Sequence, residues 1–164
     1  MTRGLTLKGI VVAAATVVSI SANATVPAGT QLPLKSMDRL TFKGGDLKKE
    51  KFRVPAPEAG GDPESLISRL AGCTIEGDAV FNPRSGRLYV KRPVLTCTPD
   101  TKVGTVFLGG DISGQLSDSG LEGIPLECSS PKQCTIGSLK KDTEASFTVT
   151  ETLGGAYLVR GPPS

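Results

Sequence analysis

The sequence contains no histidine and no tryptophan, and only 4% of its residues are aromatic. Without an imidazole, Ser-His-Asp and Cys-His arrangements are excluded as catalytic groups. Zinc is disfavoured as well, because the four cysteines stand without histidine and no two are spaced as Cys-x-x-Cys. Few aromatics mean a thin core, which disulfides or neighbouring subunits would reinforce. Long apolar runs are missing apart from Ile10 to Ile20, which follows Arg3 and Lys8 and precedes Ala22-Asn23-Ala24. That pattern predicts a secretory signal peptide over residues 1–24. As a helix rising about 1.5 Å per residue, the run falls well short of a hydrocarbon core of roughly 30 Å, so a membrane span is not expected.

An excess of one charge is absent too. Lys and Arg total 19 against 16 Asp and Glu, and removal of residues 1–24 takes Arg3 and Lys8 with it. A near-neutral chain gives no electrostatic reason to expect nucleic acid as a partner. Paired carboxylates are the remaining route to catalysis, and Glu76 and Asp78 share one strand face. Such pairs arise by chance on solvent faces, and nothing nearby in the sequence would shift a pKa. Gly109-Gly110-Asp111 lacks the following helix of a phosphate-binding loop and reads as a turn. No enzyme, metal or cofactor is expected.

What the chain does have is turn chemistry, with 20 glycines and 12 prolines, and four cysteines. Leu70 to Cys97 organises the rest. Two β-like runs, Cys73 to Phe81 and Arg87 to Cys97, flank Asn82-Pro83-Arg84-Ser85-Gly86, and Val80, Phe81, Leu88, Tyr89, Val90, Val94 and Leu95 suit a half-buried pleated surface. An antiparallel hairpin brings Cys73 beside Cys97, and a bond there would be worth about 3.5 kcal/mol in the chain-entropy model. Four cysteines allow three pairings; Cys73 with Cys97 and Cys128 with Cys134 are favoured, the second closing a tight loop bent by Pro131 at about 2.4 kcal/mol. Oxidised pairing fits an exported, periplasmic chain.

Before the hairpin, residues 25–61 read as an extended Pro-containing segment and a basic Gly/Pro loop. Pro27 and Pro33 argue for an edge position. Lys48, Lys49, Lys51 and Arg53 are candidates for contact with an anionic surface, with a solvated mobile loop as the plainer expectation. Asp62-Pro63 to Gly72 predicts one short helix capped by Asp62, with Leu66, Ile67, Leu70 and Ala71 on its packed face. After Cys97, a turn at 98–101 precedes a strand over 102–108. Ser117 to Gly120 marks another turn, Ala145, Phe147 and Val149 alternate inward, and Gly154-Gly155 predicts a hairpin turn. Residues 62–164 are therefore expected to be a mainly β domain, a small barrel or sandwich with one short helix, stapled by disulfides.

The pattern Cys73-x-Ile75-x-Gly77, followed by Ser85-Gly86-Arg87, Leu88 and Leu95-Thr96-Cys97, resembles the β-barrel domain of TraB-type conjugative transfer proteins, the scaffold subunits of type IV secretion channels. Val26 to Pro33 is similar to the family's entry to that domain, and Thr105 to Gly123 to its Gly-rich continuation. The resemblance implies a structural or assembly component of an envelope complex, a complex member that contacts other subunits through strand edges. The transmembrane helix, periplasmic arm and outer-membrane hairpin of full scaffold subunits are not found in this sequence, and Cys128 and Cys134 lie outside the resemblance. A periplasmic binding module for cell-wall or anionic ligands, with peripheral membrane contact, is the alternative. An inhibitor of transfer-apparatus assembly would share every feature of the first reading.

Overall fold

The computed structural model describes residues 23–62, 65–97, 105–107, 109–130 and 132–159. Most of the segment expected to be a signal peptide, Pro63, the turn at 98–101, residues 102–104 and Pro131 lie outside the described residues. The fold is mainly β with one short helix. Among the described residues the strands run in the order β1 (Asn23–Val26), β2 (Gln31–Ser36), β3 (Leu40–Lys43), β4 (Leu47–Arg53), β5 (Thr74–Asn82), β6 (Arg87–Thr96), β7 (Thr105–Phe107), β8 (Gly110–Asp111), β9 (Gly114–Asp118), β10 (Leu121–Glu122), β11 (Ile124–Pro125), β12 (Glu127–Cys128), β13 (Ile136–Leu139), β14 (Glu144–Val149) and β15 (Leu153–Val159). The helix α1 (Leu66–Leu70) lies between β4 and β5.

The large sheet has the order β10-β9-β14-β2-β4-β5-β6-β11, with β8 also on β6, and it curls into a half-barrel. Its two ends are joined by consecutive residues: β10 pairs with β9 at one edge, and β11 pairs with β6 at the other. Arg87 on β6 fastens this seam, its guanidinium donating to the carbonyls of Glu122 and Gly123, both at 2.7 Å, and to that of Leu121 at 3.2 Å. The hairpin that forms one end of the seam is tight, with Ser119 at φ 52° and Gly120 at φ 80°. Two positive φ values in a two-residue loop match the right-handed twist of the strands it joins. Two smaller sheets, β1-β15-β7 and β12-β13-β3, complete the fold.

Alternation builds the core. Leu32 and Leu34 of β2, Phe52 of β4, Ile75 and Phe81 of β5, Leu88 and Leu95 of β6, and Phe147 and Val149 of β14 are all buried. Phe147 lies opposite Leu32 on one side and Leu116 on the other, so a single aromatic ties three strands together. At Gly77, burial requires the missing side chain: a Cβ there would overlap Val90 and stand 2.8 Å from the carbonyl oxygen of Lys91. The helix packs Leu70 fully into this core, with Leu66 and Ile67 beside it.

Both disulfides are formed, Cys73 with Cys97 at the open end of the β5-β6 hairpin and Cys128 with Cys134 across the short loop between β12 and β13. Closed disulfides indicate an oxidising environment for folding. No helix among the described residues is long and apolar enough to cross a membrane.

Several expectations change. The basic segment expected as a loop contains β4, which sits between β2 and β5 near the middle of the sheet. Its polar sequence is tolerated there because carboxylates on β5 face its lysines. Within residues 25–61, β2 and β4 lie between β14 and β5 in the large sheet, while β3 belongs to one of the smaller sheets. Pro33 falls where β2 pairs only with β14; β4 joins it from Lys35 onward, so the missing proline N–H interrupts no ladder. The helix is capped by Ser65, whose side chain accepts from the Ser68 amide, rather than by Asp62. Gly154 and Gly155 lie inside β15, paired with Thr25 and Ala24, instead of turning a hairpin. That pairing also draws Asn23 and Ala24, expected to leave with the signal peptide, into β1.

Candidate functional site

The register of β4 against β5 decides the fate of the basic cluster. Lys49 lies opposite Asp78, Lys51 opposite Glu76 and Arg53 opposite Thr74. The first two cations are accordingly paired, Lys49 to Asp78 at 2.7 Å and Lys51 to Glu76 at 3.1 Å. Arg53 faces a threonine and has no ion pair among the described residues. Lys48 points to the opposite face of the strand, where its ammonium lies 5.2 Å from the centroid of the Phe42 ring and donates to the Thr41 carbonyl on the open side of β3. The structure thus brings three of the four candidate residues to one face and leaves one of the three without a carboxylate.

Asp78 and Glu76, considered as a carboxylate pair from the sequence, are held as ion-pair partners. Between them the β5-β6 ladder slips at a bulge, where Gly77 stands against Arg92 and Pro93. Arg92 takes φ 49°, a left-handed conformation uncommon for a non-glycine residue, and the bulge aims its guanidinium onto Asp78. Hydrogen bonds from Lys49 and then Arg92 hold the Asp78 carboxyl below its ordinary value. A carboxylate kept ionised between two cations is a structural anchor and a poor proton carrier.

Glu50 is the group that the sequence reading did not single out. Alternation in Leu47–Arg53 places it on the same face as Phe52, and it is 1% exposed, with neither carboxyl oxygen hydrogen-bonded. Burial and then the charge of Asp38 push its pKa up to about 7; the backbone amides of Lys51 and Asp38 oppose the rise without completing a hydrogen bond. An acid titrating near neutrality inside a protein is a frequent mark of function. Here it lines neither of the two surface clefts described next.

Those clefts are shallow. One of about 320 Å³ lies between the β5-β6 turn and the Cys128–Cys134 loop, and one of about 240 Å³ is lined by Ser36, Met37, Arg53, Lys141 and Asp142. Ser36 anchors the second: its hydroxyl donates to the Lys140 carbonyl at 2.6 Å and accepts from the Thr143 amide at 3.0 Å. Among the described residues no group of three His, Cys, Asp or Glu side chains stands close enough to hold a metal ion. The two disulfides occupy all four cysteines.

Comparison with protein-family models and with curated proteins finds no match. The class that the fold itself defines is a disulfide-stapled β module built on a curled half-barrel sheet.

Proposed function

We propose that this chain is an exported structural module that assembles by protein–protein contact in the periplasm, within a cell-envelope complex of the conjugative, type IV secretion-like kind. The observation that carries the reading is the set of open strand edges on a covalently stapled body. Strands β1 and β7 are each paired on one side only among the described residues. Open edges are natural sites for adding a strand from another chain. Two disulfides give a small body the rigidity to serve as a building piece outside the reducing cytoplasm. The TraB-like pattern of the β5-β6 hairpin suggests the kind of complex.

Chemical cross-linking in intact envelopes followed by affinity capture tests this. Recovery of the protein with transfer-apparatus subunits is the expected result, and recovery as a free monomer would overturn it. Deletion of the gene should lower transfer; raised transfer would instead make the protein an inhibitor of assembly.

Contact with an anionic surface is the second reading, favoured by one observation. Arg53, without an ion pair among the described residues, lines the cleft that also holds Lys141 and a single acid, Asp142. Salt-dependent binding to vesicles of anionic lipid, reduced in Arg53→Gln, is expected on this reading; binding that ignores salt would remove it.

A further inference from the structure

The larger cleft carries basic side chains and no acidic one. Lys35, Lys49, Lys51, Arg92 and Lys140 each face a carboxylate. The cleft of about 320 Å³ presents Arg84 and Lys132 with Ser85, Ser130 and Gln133, and no acidic side chain lines it. Arg84 and Lys132 are both exposed and have no ion-pair partner among the described residues. Two uncompensated cations beside two hydroxyls and a carboxamide form a donor set suited to an anion carrying several acceptor oxygens.

The turn and the loop that carry these donors are each tied at described residues. The turn that carries Arg84 is fixed by its own amide, which donates to the Asn82 side chain at 2.9 Å. The loop that carries Lys132 is closed by the Cys128–Cys134 disulfide. Turn and loop are held together where the Leu126 amide donates to the Gly86 carbonyl at 2.9 Å. Gly86 adopts φ 67°, and a Cβ there would stand 3.2 Å from the Cys128 sulfur, so the turn approaches the disulfide as closely as a glycine allows. A backbone tied in this way spares the ordering of the turn when a ligand arrives, while the exposed Arg84 and Lys132 side chains still lose rotamer freedom. The space matches the lower end of small-ligand sites, about 300 Å³.

We propose that this cleft binds a phosphate group carried on a sugar-sized or lipid-headgroup body, with Arg84 and Lys132 holding the phosphate and Ser85, Ser130 and Gln133 meeting neighbouring hydroxyls. The site shares no residue with β1 or β7 and does not depend on the assembly role. Its second disulfide is a positioning element, setting where Lys132 stands relative to Arg84.

The test is a titration of the full oxidised chain followed by amide NMR, with three probes: inorganic phosphate, glucose 1-phosphate, and vesicles containing phosphatidylglycerol. Saturable shifts at Ser85, Gly86 and Gln133 are expected, with Arg84→Gln and Lys132→Gln each weakening binding about tenfold and Lys91→Gln leaving it unchanged. Each variant should keep the wild-type melting temperature, since these side chains are exposed. Saturation by glucose 1-phosphate alone assigns a soluble sugar phosphate. Saturation by vesicles alone assigns a lipid headgroup, and either result supports the site. Absence of saturation with all three up to about 10 mM, or undiminished binding in the doubly substituted chain, would overturn it.

Discussion

Replacing Glu50 by glutamine should change how the stability of this protein depends on pH. The carboxyl is buried without a hydrogen bond, and its pKa rises from the ordinary 4.5 to about 7. Because the folded value lies above the unfolded one, the folded chain holds an extra proton between these limits. Its contribution to stability is full below about pH 4.5 and is lost as pH rises through about 7. At 1.36 kcal/mol for each pKa unit, the loss amounts to about 3 kcal/mol. Asp38, whose charge adds to the rise, lies on the connection between β2 and β3. With no histidine in the chain, no other side chain has an ordinary pKa between these limits to mask the effect. Urea unfolding of the oxidised protein from pH 4 to 8.5 is the assay. The wild type should lose about 3 kcal/mol over that range, and Glu50→Gln should lose far less. The comparison is of slopes, because a buried glutamine amide brings its own unpaired atoms and lowers stability at every pH. Parallel pH profiles for the two proteins would refute the reasoning.

Other perturbations probe different parts of the fold. Removing the Cys73–Cys97 bond by a double alanine substitution should lower stability by about 3 to 4 kcal/mol, and removing Cys128–Cys134 by about 2 kcal/mol, both read from denaturant midpoints. Gly77→Ala forces a methyl group onto Val90 and the Lys91 carbonyl and should cost about 1 to 3 kcal/mol in thermal unfolding followed by circular dichroism. Arg87→Ala removes a cation shared among seam carbonyls; hydrogen exchange should accelerate at residues 117–124 while the Cys73–Cys97 hairpin keeps its protection. Acidification should weaken the Lys49–Asp78–Arg92 anchor, because the depressed Asp78 pKa contributes stability above its ordinary value of 3.8 that is lost as pH falls below it.

The hairpin from Cys73 to Cys97 was legible because each signal agreed: alternating apolar residues, Asn-Pro and Ser-Gly at the turn, and cysteines at matching ends. The pairing of Cys128 with Cys134 and the inward face of Phe147 and Val149 were legible for similar local reasons. Strand β4 was not. Leu47–Arg53 carries five charged residues, and what makes it a strand is the row of carboxylates on β5, a partner visible only once the two are in register. The same long-range pairing moved Gly154 and Gly155 into β15, where β1 supplies the hydrogen bonds that a turn would have lacked. Glu50 went unnoticed because a single acid among four basic residues looks like surface charge. Phe52 two positions later was the one available sign that Glu50 faces inward. The cleft between the β5-β6 turn and the disulfide loop joins segments about forty residues apart, and no spacing in the sequence announces it.

The central claim is that a thin, oxidised β body is held in shape by two covalent staples. Peptide mass mapping of the protein taken from native envelopes, with thiols blocked at lysis and no reductant, tests it directly. The account predicts linked peptides for Cys73 with Cys97 and for Cys128 with Cys134; blocked free thiols at these four positions, or a different pairing, would contradict it.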